Sequence, residues 1–260
     1  MATIVCGIDL EGMNVDLEFS GPNLDKDRVI EIGAVLWDTE YHQPVKQISE
    51  LVLEEDKPPI SQEVFELTGI SDELLENWGA RGKDIEKIML SLKDMMEKAN
   101  YIIAHNGTNY DKPMLGAMFN RYGIAMPNIL WIDSYKDVEF PSRIRSKSMA
   151  MLEHSHGFIN PFPHRALTDV LSLLKIISNY DIDRMVKLAK SPMVTLQAIL
   201  TPPNWSNQKE LQEFNAKKNK VSRAQFKWNP ENKTWVKRVH KLLLDEGKIA
   251  YEFDFKIIDD

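Results

Sequence analysis

Two hydrophobic periods organise this chain of 260 residues. Residues 3–10 form a short apolar run rich in β-branched side chains and bounded by turn formers, the pattern of a buried strand. Residues 28–37 and 45–53 repeat it as second and third strands, separated from the first by a polar, acidic loop over 12–27 with Gly21-Pro22-Asn23 as a turn signal. A helical period then takes over. Residues 61–67 predict a short helix, and Ile85, Ile88, Met89, Leu92, Met95 and Met96 fall on one face of a longer one. Residues 101–104 read as a short buried strand running into His105-Asn106-Gly107, with a helix over 111–122, a strand over 129–132, and helices over 148–154 and 166–178. Strands first, then strands interleaved with helices, predict an α/β fold with a mixed sheet.

Leu200-Thr201-Pro202-Pro203-Asn204 reads as a linker, giving a body over 1–183, a helix and linker over 184–204, and a small module over 205–260. In that module, apolar residues at 225–228 and 234–237 flank Asn229-Pro230-Glu231-Asn232, a hairpin signal. Residues 236–244 are amphipathic and basic, and 249–258 alternate like a terminal strand, so the module is α+β.

Charge sharpens this division. The net charge of −7 arises from 17 Lys and Arg against 30 Asp and Glu over residues 1–183, and 15 against 9 over 184–260. An acidic body with a basic appendage suggests two tasks, against the plainer reading of a solvated basic face. No run approaches the 18 or so apolar residues of a membrane helix and no secretory leader is recognisable, so no membrane partner is expected. The single Cys6 excludes an internal disulfide and a cysteine-rich zinc site, and fits a reducing, cytoplasmic setting. Within Ile4-Val5-Cys6-Gly7-Ile8 it reads as a small core residue, not a nucleophile.

Four acids stand out. Asp9 and Glu11, two apart at the end of the first strand, point to one face of the sheet. A carboxylate in an apolar run needs compensation, and a divalent cation such as Mg²⁺ would provide it; the alternative is an exposed strand-end acid. Asp111, two residues before Pro113, reads by itself as a helix cap. Asp169 lies at the margin of the apolar stripe Ala166, Val170, Leu173, Leu174 and Ile177, facing the body. His164, between Pro163 and the helix, belongs to the entering loop, from which it could reach whatever Asp169 holds.

Taken together, Asp9-Leu10-Glu11, the stretch His105-Asn106-Gly107-Thr108-Asn109-Tyr110-Asp111, and His164-Arg165-Ala166-Leu167-Thr168-Asp169 resemble the three exonuclease motifs of the DnaQ-like DEDD superfamily. The third has the His-x-Ala-x-x-Asp form of the His-bearing branch. Arg28-Val29-Ile30-Glu31-Ile32-Gly33-Ala34, Leu67-Thr68-Gly69-Ile70-Ser71-Asp72-Glu73 and Ile132-Asp133-Ser134 extend the similarity, which covers about residues 3–180. Asn106 precedes Asp111 by five residues, one more than in typical proofreading subunits. That spacing is similar to the TREX-like exonucleases, which brings a homodimer into consideration.

The resemblance implies a ribonuclease H-like sheet flanked by helices and a two-metal 3′→5′ exonuclease that releases nucleoside 5′-monophosphates. Asp9, Glu11, Asp111 and Asp169 would hold two Mg²⁺ or Mn²⁺ ions, about 3.5–4 Å apart in such sites. His164 would be the general base, its ordinary pKa of about 6.5 suiting proton transfer near neutrality. Nucleic acid is the implied partner, with DNA, single-stranded or frayed, preferred over RNA. An exoribonuclease of the same branch and a non-catalytic nucleic-acid-binding or polymerase-associated subunit are the alternatives. The sequence departs from the family after Glu11, where Gly12 and Met13 replace the Thr or Ala-Thr that commonly contacts the terminal nucleotide. Met13 or Leu10 is then the expected wedge against the last base. His105 and Asn106 are expected to order the turn beside the substrate, and Asp133 to orient them. In the module, Lys217, Lys218, Lys220, Arg223, Lys227, Lys233, Lys237, Arg238 and Lys241 interleave with Phe226, Trp228 and Trp235. The stretch from Phe226 to Trp235 is similar to a small module fused to other DNA-processing enzymes. Lys227, Trp228 and Trp235 are candidate contacts for phosphates and unpaired bases, the alternative being that both tryptophans form the core of a small hairpin.

Overall fold

The computed structural model describes residues 3–13 and 21–258. Residues 14–20 of the predicted acidic loop lie outside the described residues. Two units divide the chain, Met1–Ala189 and Lys190–Asp260.

The first unit is built on strands β1 (Ile4–Gly12), β2 (Val29–Asp38), β3 (Gln43–Leu51), β4 (Tyr101–Ala104) and β5 (Trp131–Asp133), in the order β3-β2-β1-β4-β5. β1 and β3 run antiparallel to β2, whereas β4 runs parallel to β1 and to β5, so the sheet is mixed as predicted. Period-two alternation sorts the strands onto two cores. Cys6, Ile8, Leu10, Ile32, Ala34 and Leu36 enter one core with Met89, Leu92, Met95 and Met96 of α3 (Lys83–Lys98) and Leu115 and Met118 of α4 (Asp111–Arg121). Val5, Val35, Trp37, Ile103 and Ile132 meet Val170, Leu173, Leu174 and Ile177 of α7 (Ala166–Ile177) and Met185 and Val186 of α8 (Ile182–Lys190) on the other face. Burial pushes the Cys6 thiol up to about 12, as suits a core residue. Short helices α1 (Gln62–Thr68) and α2 (Asp72–Trp78) start at Ser61 and Ser71, whose hydroxyls accept the amides of Val64 and Leu74. Helices α5 (Ser134–Asp137) and α6 (Met149–Ser155) lie between β5 and α7.

The second unit is a four-stranded antiparallel sheet, order β7-β8-β6-β9, comprising β6 (Met193–Ala198), β7 (Lys227–Asn229), β8 (Thr234–His240) and β9 (Phe255–Ile258). Helix α9 (Gln208–Arg223) and the short α10 (Lys241–Asp245) accompany it. Three expectations are corrected here. The helix and linker expected over 184–204 contain β6, which belongs to this sheet. The basic stretch 236–244 is split between β8 and α10, and only Phe255–Ile258 of the expected terminal strand forms a strand. Leu196 and Ala198 of β6, Val221, Phe226 and Val239 make its small core. Among the described residues, no helix is long and apolar enough to cross a membrane.

Candidate active site

The site begins with alternation on β1. Leu10 is 4% exposed and buried in the core with Ile8 and Cys6, so Asp9 and Glu11 point to the opposite face, where α7 packs. Close approach of that helix depends on Gly33 of β2: a Cβ there would lie 2.3 Å from the Ala166 carbonyl carbon and 2.4 Å from the Leu167 nitrogen. The first turn of α7 is then fastened by Glu31, which is 2% exposed. Its carboxylate accepts the Ala166 amide at 3.0 Å and the Arg165 guanidinium at 2.7 and 3.1 Å. A carboxylate at a helix N-terminus satisfies an otherwise orphaned amide and complements the helix dipole.

This packing brings Asp169 to the strand. Carboxylate oxygens of Asp9, Glu11 and Asp169 lie within 4.8 Å of one another. Asp111 joins from the other side of β1: it is 2% exposed, and its Oδ1 accepts the Leu10 amide at 2.9 Å. The expectation that it caps its helix gives way to this role as a latch on β1, and the position before it, Tyr110, has no side-chain cap. Asp169 is held at both oxygens, by the His164 amide at 2.9 Å and by Asn160 Nδ2 at 2.6 Å. Asn160, 5% exposed, was not singled out in the sequence, because its role depends on a loop closing back onto α7. The exposed His164 adopts φ 59° at the end of that loop.

The electrostatics are those of crowded acids. Burial, then Asp111, Glu11 and Asp169, holds Asp9 well above the carboxylate range. Burial and Asp169 push Glu11 up to about 8, and burial lifts Asp111 to about 7 and Asp169 to about 6. Arg165 counters the charge on Glu11, but it is already engaged by Glu31. Clustered acids, Asp111 buried and the others half-buried, with an all-oxygen donor set fit a hard divalent cation, and Asp9, Glu11 and Asp169 could hold one, with Asp111 adjoining. Desolvation by its surroundings keeps the His164 imidazole below its ordinary pKa although the residue is largely exposed, so it could accept a proton at neutral pH.

The remaining predicted residues sort by location. Gly12 is buried under the Tyr110 hydroxyl, which would lie 2.0 Å from a Cβ at that position. Met13 packs on the cluster of Ile30, Val64, Ile70 and Leu75. Leu10 is therefore a core residue and not the expected wedge, while Met13 stays half-buried against its cluster. His105 and Asn106 build the turn: His105 Nδ1 pairs with Ser134 Oγ at 2.8 Å, and the Asn106 amide, at φ 58°, donates to Asp133 Oδ1 at 2.9 Å. Asp133, 1% exposed, also accepts from Thr108 Oγ1 at 2.6 Å and the Tyr135 amide at 3.1 Å. In the second unit, Trp228 and Trp235 are cross-strand partners with ring centroids 5.8 Å apart. Trp235 packs against the small core, while Trp228 is 49% exposed and Lys227 is exposed beside it.

Comparison with known proteins gives this geometry a setting. The family model described as exonuclease (RNase_T) matches residues 14–177. The PolC-type DNA polymerase III of Mycoplasma genitalium is 34% identical over 114 residues, 42% of this chain and 7% of that polymerase. Its counterpart from Thermotoga maritima is 26% identical over 191 residues, 71% of this chain and 13% of the polymerase. The chain thus spans a small part of the curated relatives it matches. The nuclease domain of 3′hExo, a DEDDh family member bound to rAMP, superposes with a TM-score of 0.54 at 18% identity, covering 68% of this chain and 91% of that one. E. coli exonuclease I in complex with a dT13 oligonucleotide superposes at 0.55 and 14% identity, covering 76% and 48%. The mixed sheet and its helices are the ribonuclease H-like exonuclease fold.

Proposed function

The chain belongs to the exonuclease family; on that premise we propose that it is a DEDD-type 3′→5′ exonuclease that trims DNA from a single-stranded or frayed 3′ end, releasing nucleoside 5′-monophosphates. The observation that carries this reading is the convergence of Asp9, Glu11 and Asp169 within 4.8 Å, with Asp111 latched to the strand between the first two. Asp9, Glu11, Asp111 and Asp169 would hold two Mg²⁺ or Mn²⁺ ions. When bound, such ions stabilise charge on the attacking and leaving oxygens of the phosphodiester. Asp111 keeps its place through the Leu10 amide, and Asp169 through His164 and Asn160, so the acids are oriented before substrate arrives. His164, neutral near pH 7, takes the proton of the attacking water.

DNA is favoured because both curated relatives are DNA polymerases. A ribonuclease is the second reading, since one structural neighbour is a 3′-exonuclease that recognises the 3′ end of a histone mRNA stem-loop. We assign the second unit an accessory grip on the strand, supported by its exposed cations and by Trp228. The test is a 5′-labelled single-stranded DNA oligonucleotide incubated with protein and Mg²⁺, with EDTA and Asp169→Ala controls, run beside the matching RNA. A ladder shortening from the 3′ end on DNA, absent in both controls and slower on RNA, is the expected result. A faster ladder on RNA selects the ribonuclease, and silence on both overturns the enzymatic reading.

A further inference from the structure

Among the described residues that end the first strand, Leu10 lies in the core and Met13 packs half-buried on an apolar cluster. Another apolar residue near the site is openly exposed. Phe162, two positions before His164, is 63% exposed. An exposed apolar ring by itself needs no explanation. What distinguishes this one is the turn that presents it. Its amide donates to Asn160 Oδ1 at 3.0 Å, and its carbonyl accepts Thr168 Oγ1 at 2.6 Å. The same Asn160 donates to Asp169 Oδ1 at 2.6 Å, and the Asn160 amide is anchored on the buried Glu153 at 3.0 Å. Two hydrogen bonds therefore separate the Phe162 backbone from the Asp169 carboxylate. An aromatic ring on a fixed turn loses little freedom when it stacks, and every nucleobase offers a face to it.

We propose that Phe162 stacks on the base of the 3′-terminal nucleotide; this rests on the exonuclease reading above. Phe162 stands two residues before His164, on the turn whose Asn160 fastens Asp169, so a base stacked on it would lie near the bond that is cut. The test compares KM for two DNA oligonucleotides, one with a natural 3′-terminal base and one abasic at that nucleotide. Wild-type protein is expected to show a KM on the order of tenfold higher for the abasic end, the size of one lost stack. Phe162→Ala is expected to raise KM for the natural end until the two ends are alike, and Phe162→Trp to keep the discrimination. Thermal melting of both variants checks the fold. A Phe162→Ala protein that keeps the wild-type ratio, or a wild type that does not discriminate, overturns the proposal. If wild type degrades neither oligonucleotide, the exonuclease reading itself falls and takes the proposal with it.

Discussion

The amide of Leu10 donates to Asp111 Oδ1 at 2.9 Å, tying the first residue of α4 to β1 at the position between Asp9 and Glu11. One oxygen of Asp111 is thus structural, and the charge of the group is what chemistry needs. The two roles can be separated. Asp111→Asn retains an acceptor for Leu10 and removes the charge, so cleavage should fall by several orders of magnitude with little change in melting temperature. Asp111→Ala leaves a buried amide unpaired and should in addition cost about 1–3 kcal/mol of stability. Equal melting temperatures for the two variants would show that the Leu10 bond does not hold the fold.

Metal removal should make stability depend on pH. In the absence of metal, burial and then the neighbouring acids raise Glu11 to about 8, and burial raises Asp111 to about 7, above their unfolded values near 4. The folded protein then binds more protons than the unfolded chain, so this contribution is full below the unfolded pKa and is lost as pH rises through the folded one. His105 and His164, both held below the ordinary imidazole value of about 6.5, act in the opposite sense, and their effect fades as pH rises past that value. Between pH 7 and 8, melting temperature in EDTA should therefore fall. Mg²⁺ should raise it, and more so at the higher pH. Melting temperatures in EDTA that climb across this window would contradict the arrangement of the acids.

Much of this site was legible because β1 is a regular strand: a period of two places Asp9 and Glu11 on one face without further information. The same rule sends Leu10 to the other face, so its expected contact with substrate was already at odds with the pattern. Glu31 and Arg165 lie 134 residues apart, and no local signal pairs them. Asn160 finds Asp169 only because the intervening prolines and His164 fold the loop back. The first strand of the second unit was hidden in an expected linker, since β6 is six residues long and its partners β8 and β9 lie far downstream. Helix α9 shows only Val221 buried among its residues, too thin an apolar stripe to announce itself.

Gly33→Ala should damage activity from outside the site. The added methyl would sit 2.3–2.5 Å from backbone atoms of Ala166 and Leu167, which cannot move aside by changing rotamer. Overpacking of this kind costs about 1–3 kcal/mol. Because Asp169 rides on the displaced turn, kcat measured well below the melting transition should fall as well. A variant that is destabilised but fully active in the cold would show that α7 can retreat without carrying Asp169 away.

The second unit yields a prediction about salt. Lys217, Lys218 and Arg223 are exposed on α9, whereas Lys220 is paired with Glu252 at 2.6 Å. If the three exposed cations contact phosphates, replacing all of them with Gln should flatten the plot of log affinity against log salt for single-stranded DNA. The change in slope should be about 2, from roughly 0.7 per contact. Trp228→Ala, which removes an exposed aromatic face and no charge, should instead weaken binding on the order of tenfold and leave the slope alone. The two variants thus separate phosphate tracking from base stacking. An unchanged slope in the triple variant, with unchanged affinity in Trp228→Ala, would make α9 a solvated basic face and the two tryptophans a packing pair on their hairpin.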